Sequence, residues 1–172
     1  MDLFFKFDDL DHGMEWCEEQ IISETTKGSN KQKEEIDEIK LFEEKFADLL
    51  IYFESKDISQ NTTIIEQGSD PDGLYFIKSG RVTVELRSSN NKIRLKSMGT
   101  GTVVGEVSLY LKTQATASVI SNTACKTYFL SHENFEKLNK ETPERAAELH
   151  TYIVKLLSDR LAKSNATIQA LM

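Results

Sequence analysis

The residues best suited to chemistry lie in one stretch, Val104-Gly105-Glu106-Val107-Ser108-Leu109, followed shortly by Ala115-Thr116-Ala117-Ser118-Val119. A glycine lets backbone approach a ligand closely, because no Cβ stands in the way. Small residues after it leave backbone N–H groups uncovered, and the first N–H groups of a helix have no partner within it. Together these make a cradle for a phosphate. An inward-pointing carboxylate such as Glu106 can accept hydrogen bonds from a sugar hydroxyl. The alternative is that Gly105 makes a bend and Glu106 is a surface acid, and the dipeptide alone leaves both open.

Other chemistries find no support. The three histidines, His12, His132 and His150, fall outside the expected strands, so a histidine metal centre of the cupin kind is excluded. His12 and Cys17, five apart on a helix, do not face each other, which argues against zinc there. Gly101 to Gly105 is not followed by Lys-Ser/Thr, so no Walker loop is present. No serine or cysteine carries a nucleophile motif. The expectation is a protein piece that is not an enzyme and requires no cofactor.

The elements that must position the cradle follow from hydrophobic period. Asp8 to Ile22 reads as a helix, with Leu10, Met14, Cys17 and Ile21 on one face and Asp8 or Asp9 as its cap. Residues 25–32 are polar, contain Gly28 and read as a linker. The chain thus divides into a front piece, 1–33, and a main domain, 34–172. Glu34 to Phe53 is a second amphipathic helix, striped by Ile36, Ile39, Phe42, Phe46, Leu49, Leu50 and Phe53. The period then changes to two. Short strands are expected at 62–65, 74–77, 82–86, 93–95, 117–120 and 126–130, punctuated by Gly68, Gly80, Gly99 and Gly101. Residues 88–91 form a hairpin tip. Short strands at even spacing indicate a small barrel, roll or sandwich. Ser131 should cap a helix at 132–140, and Thr142-Pro143 should open another running to about residue 170.

Composition bounds the partners. Of the net charge of −7, residues 1–57 carry the acidic share with 17 acids and 7 bases, against 11 acids and 14 bases in the remainder. Nucleic-acid affinity comes largely from phosphate neutralisation, so an acidic chain is not expected to bind it. No apolar run reaches the roughly 18 residues that span a bilayer. The start lacks a basic leader and a long apolar stretch, so a cytosolic location is expected, at the cytosolic face of the membrane if the chain is part of a transporter. Cys17 and Cys125 cannot make a disulfide framework and are read as reduced, Cys125 as a small core residue.

The stretch from about 40 to 161 resembles the cyclic-nucleotide-binding domain family. Its pattern runs Thr63-Ile64-Ile65-Glu66-Gln67-Gly68, Asp70-Pro71-Asp72-Gly73-Leu74-Tyr75-Phe76-Ile77, Ser79-Gly80-Arg81-Val82, Gly101-Thr102-Val103-Val104-Gly105-Glu106 and Ala117-Ser118-Val119. The resemblance implies a mainly β fold with flanking α, an antiparallel eight-stranded β-roll, jelly-roll-like, with N-terminal and C-terminal helices. It implies that Gly105, Glu106, Val107 and Ser108, with Ala115, Thr116, Ala117 and Ser118, form the phosphate and ribose cassette. Gly105 would offer a backbone N–H, Glu106 would bind the ribose 2′-hydroxyl, Ala117 would give an N–H to the cyclic phosphate, and Ser118 would contact phosphate or purine. The family usually reads Pro-Arg-Ala-Ala-Thr-Val, whereas here Gln114-Ala115-Thr116-Ala117-Ser118-Val119 puts Ala115 where the phosphate-binding arginine belongs. A charge-assisted contact is worth roughly 1.5–3 kcal/mol, about one to two decades of affinity. Weak or absent binding of cyclic AMP and cyclic GMP is therefore expected, with Lys112 or Arg81 as cations that could compensate.

The front piece, Phe7-Asp8-Asp9-Leu10-Asp11-His12-Gly13-Met14-Glu15-Trp16-Cys17-Glu18, resembles the last segment of the STAS domain of bacterial sulfate-permease-type (SulP) anion transporters. That implies a regulatory domain controlling an attached membrane transporter. The alternative is an ordinary helix whose Trp16 packs on the roll. A transcription factor would need a helix-turn-helix beyond the last helix, and the chain ends at Met172. The rival reading is a ligand-free scaffold for docking or for a homodimer through the C-terminal helix.

Overall fold

The computed structural model describes residues 39–70, 72–88 and 91–170. The expected front helix, the linker and the STAS-like segment lie outside the described residues. No helix among those described is long and apolar enough to cross a membrane.

Residues 39–45 are helical (α1), and a 3₁₀-helix, Ala47–Tyr52, follows. The single helix expected through Phe53 is thus interrupted at Phe46, where the amide of Leu49 bonds the Phe46 carbonyl at 2.9 Å. A 3₁₀ turn stacks residues three apart, and this one buries Leu49 and Tyr52 together.

Eight strands follow in two antiparallel sheets: β1 Glu54–Ile58, β2 Thr63–Ile65, β3 Gly73–Ser79, β4 Val82–Ser88, β5 Asn91–Met98, β6 Val103–Val104, β7 Ser118–Ser121 and β8 Cys125–Ser131. One sheet has the order β1-β8-β3-β6 and the other β2-β7-β4-β5. Three helices complete the domain: α2 Glu106–Leu111, α3 His132–Glu141 and α4 Pro143–Ala170. The mainly β roll with flanking helices is as expected. Ser131 caps α3, its hydroxyl accepting from the Asn134 amide at 3.1 Å. Pro143 opens α4, where its missing N–H costs nothing.

The apolar run Leu74-Tyr75-Phe76-Ile77 in β3 is explained by its neighbours. Successive side chains of a strand point to opposite faces. Leu74 and Phe76 join a core built with Phe42, Phe46, Leu130, Leu138, Leu149 and Ile153, on the helix side. Tyr75 and Ile77 join the core inside the roll, with Val82, Val104, Val119, Cys125 and Phe129. Both faces are covered, so alternation disappears. Phe42 stacks on Phe76 with centroids 4.5 Å apart. Tyr128 donates to Glu43 at 2.6 Å and accepts from Lys78 at 2.7 Å, which ties α1 to both β3 and β8.

Candidate functional site

β6 leads directly into the cradle. Val103 and Val104 end in Gly105, whose φ of 85° is left-handed, and α2 begins at the next residue. A Cβ at Gly105 would sit 2.7 Å from the Gly73 carbonyl oxygen and 3.0 Å from Cδ1 of Ile65. Glycine is required here by backbone shape and by close packing on β3.

The cradle opens into a cavity of about 220 Å³. Gly105, Glu106, Val107, Ser108, Ala115, Thr116 and Ala117 all line it, and Ile65, Val84, Met98, Val104 and Val119 form an apolar floor. Ser118 does not line it. Its hydroxyl accepts from the Gln67 amide at 3.0 Å and so fastens the turn after β2 to β7. The cavity brings together residues that are adjacent in sequence order but arrive from two separate chain segments.

Glu106 is 2% exposed, and its carboxylate is already engaged. Arg160 of α4, 54 residues later, pairs with Oε1 of Glu106 through Nη2. Its Nη1 donates to the Val103 carbonyl at 3.3 Å and contacts the sulfur of Met98 at 3.6 Å. The last helix therefore reaches into the cavity and holds the one buried acid there.

Ala115 is 5% exposed, and its backbone is fixed rather than its side chain. Its N–H donates to the Ser69 carbonyl at 2.9 Å, and its carbonyl accepts from Gly68 at 2.7 Å. Neither cation expected to compensate enters the cavity. Lys112 caps α2 with a left-handed φ of 53° and lines a separate surface hollow with Asp70 and His132. Arg81 sits in the turn between β3 and β4, its N–H bonded to Thr123 Oγ1 at 3.0 Å. The cations that do line the cavity are Arg160 and Lys96. A sequence signal for Arg160 exists in retrospect. It falls seven residues after the buried Ile153, on the inward stripe of α4. No local signal marks Lys96.

A second seam joins the cradle to the helices. Tyr110 of α2 bonds Nδ1 of His150 at 2.7 Å, and Nε2 of His150 bonds Oδ1 of Asn139 at 2.8 Å. The amide oxygen accepts from Nε2–H, so Nδ1 accepts from the Tyr110 hydroxyl. Phe135 stands edge-on to both rings. Burial, with the Glu106 charge adding to it, pushes the Tyr110 pKa up to about 12, and burial lowers that of His150. α2, α3 and α4 thus share one hydrogen-bonded junction.

The sequence model of the cyclic nucleotide-binding domain matches residues 55–142, half of the chain and the whole of the cradle. The chain belongs to the cyclic nucleotide-binding domain family. A cyclic nucleotide-binding domain from Methylobacillus flagellatus has the same fold, with a TM-score of 0.69 at 20% identity, covering 75% of this chain and 73% of that one. Among curated proteins, glutaminase 2 of Bradyrhizobium diazoefficiens is 27% identical over 167 residues, 94% of this chain and 26% of that protein. The potassium/sodium hyperpolarization-activated cyclic nucleotide-gated channel 2 of Mus musculus is 33% identical over 105 residues, 61% of this chain and 12% of that protein. The chain thus spans about a quarter of the one and an eighth of the other. The matched residues include Gly105-Glu106 and Ala115.

Proposed function

We propose that this chain is the non-catalytic, ligand-sensing regulatory domain of a larger cytosolic or membrane-attached polypeptide, with weakened affinity for cyclic nucleotides. The observation that carries the reading is the contact between Glu106 and Arg160. It couples the carboxylate of the cradle directly to the last helix. A ribose hydroxyl that bonds Glu106 must share or displace the Arg160 contact, and so would bias the position of α4. A ligand shifts such an equilibrium only by its difference in affinity for the two states.

The cassette roles of Gly105, Glu106, Val107, Ser108, Thr116 and Ala117 are proposed on the same footing. The cavity, at about 220 Å³, is smaller than the roughly 300–1,000 Å³ common for ligand sites. A nucleotide would therefore need α4 to move outward. With Ala115 in place of an arginine, the phosphate offers less energy to drive that movement.

The similarity to the Bradyrhizobium glutaminase runs through 94% of the chain, beyond the roll itself, while the channel match covers 61%. This favours attachment to an enzyme of glutaminase type over the sulfate-permease-type transporter suggested by residues 7–18. Reading the coding sequence upstream for a glutaminase or for membrane-spanning segments decides between them.

Calorimetric titration with cyclic AMP and cyclic GMP tests the ligand reading. Weak binding is expected, and submicromolar affinity for either nucleotide would show that Ala115 is not limiting. Val154 and Leu161 leave apolar surface on the outer side of α4, where a second copy could pack. The oligomeric mass by light scattering is expected to be the same with and without millimolar cyclic AMP. A nucleotide-driven change in mass would mean that the cradle signals at full strength.

A further inference from the structure

The positive charge of this cavity is in an unusual place. The cassette position that should be basic is Ala115, while β5 and α4 contribute Lys96 and Arg160. A β-bulge sets this up. Val84 pairs with Lys96 and Glu85 with Arg94, so Leu95 is the extra residue of β5. In a regular strand Leu95 and Lys96 would point to opposite faces, yet both line the cavity. Lys96 pairs with Val84 and is two residues from Met98 on β5, and its side chain is exposed at the mouth of the cavity.

Among the described residues the side chain of Lys96 makes no hydrogen bond and no ion pair. Its charged neighbours are Arg160 and Lys163, both of its own sign, and burial together with those two charges lowers its pKa. Arg160 has five N–H donors, and its contacts to Glu106, Val103 and Met98 use three. Donors are thus left over beside an ammonium group with no counter-charge. The floor under them is apolar and the volume small.

We propose that the mouth of the cavity between β5 and α4 is an anion site. Lys96 and Arg160 there take the acid group of a compact organic anion whose apolar part lies on Ile65, Val84 and Val119. This rests on the reading of the cavity as the ligand site, and it names a ligand class different from a nucleotide held by its cassette phosphate. The anion relieves the repulsion between Lys96 and Arg160, and it competes with Glu106 for Arg160, so that occupancy is felt by α4.

Phenyl phosphate is the probe, since it joins a small apolar ring to a phosphate. Titrated into the whole chain by calorimetry, it should bind saturably at one site. Benzyl alcohol, which lacks the charge, and inorganic phosphate, which lacks the ring, should each bind at least about 10-fold more weakly. Lys96→Gln should weaken phenyl phosphate by about 10-fold or more, the loss of one charge-assisted contact. The variant should fold at least as well as the parent, because it removes a repulsion, and its urea midpoint checks this. Binding that does not saturate by about 10 mM, or that Lys96→Gln leaves unchanged, overturns the site. Cyclic AMP titrated into Ala115→Arg separates the two readings. Silence there, with a Lys96-dependent phenyl phosphate signal, overturns the cyclic-nucleotide reading and upholds the anion site. The reverse pattern overturns the anion site alone.

Discussion

The two chain segments that build the cradle are held in opposite ways. At Glu106 a side-chain charge is buried and matched by Arg160 from a distant helix. At Ala115 the side chain is a methyl group, and the backbone bonds to Ser69 and Gly68 do the holding. The first segment depends on tertiary structure and on charge balance. The second keeps its shape without any charge at all. The geometry at position 115 therefore needs no charge, whereas the buried acid at 106 cannot lose its partner without cost.

The sharpest way to break this contrast is Arg160→Ala. It strands the Glu106 carboxylate in a buried site, and removing one partner of a buried pair typically costs about 3–5 kcal/mol. Urea unfolding should show that loss, and Glu106→Gln combined with Arg160→Met should recover most of it. If Arg160→Ala is neutral, the contact is not what holds α4 on the cradle. At the other segment, Ala115→Arg supplies a cation where the backbone is already in place. Cyclic AMP affinity should rise by about 1.5–3 kcal/mol, measured by calorimetry, if the pocket is otherwise intact.

Gly105 lies on the acid's side of the comparison. Gly105→Ala forces an L-residue into left-handed backbone, at about 1–2 kcal/mol before its close contacts with Gly73 and Ile65 are counted. A thermal melt measures it, and an equal loss at Ala115→Gly would erase the distinction between the two segments. The smallest effect concerns the Tyr110–His150–Asn139 seam. Burial holds the folded-state pKa of His150 below its ordinary 6.5. As pH falls below that value the unfolded chain takes up the proton first, so stability declines until the folded ring also titrates. His150→Gln should flatten the stability–pH curve between pH 6.5 and the lowered folded value.

Much of the fold was legible because its determinants are local. The Ser131 cap acts on an amide three residues on, and Pro143 acts on its own turn. Six strands could be read from alternation or apolar runs. β1 and β6 could not: β1 reads Glu-Ser-Lys-Asp-Ile on a sheet edge, and β6 has two residues. The helix before the roll was legible as to its face but not its break at Phe46, which packing against Phe42 and Tyr152 accompanies.

For the cradle, it was the resemblance to the family, carried by the order of glycines and short strands, that grouped Gly105, Glu106, Thr116 and Ala117, which the cavity does bring together. The same resemblance marked Ala115 as standing in the place of an arginine. What the residues alone did not reveal is where the cavity's charges come from. Ser118 is a small polar residue in the right place by pattern, yet its hydroxyl is taken by the Gln67 amide in the turn that follows β2. Lys96 lines the cavity mouth, its side chain exposed, beside a bulge at Leu95 that shifts the register of β5. Arg160 meets Glu106 only because α4 lies against the closed roll, across 54 residues. Hydrophobic period and turn chemistry act over a few residues and so are written along the chain. The balance of buried charge acts through space, and only the folded chain determines which charges meet.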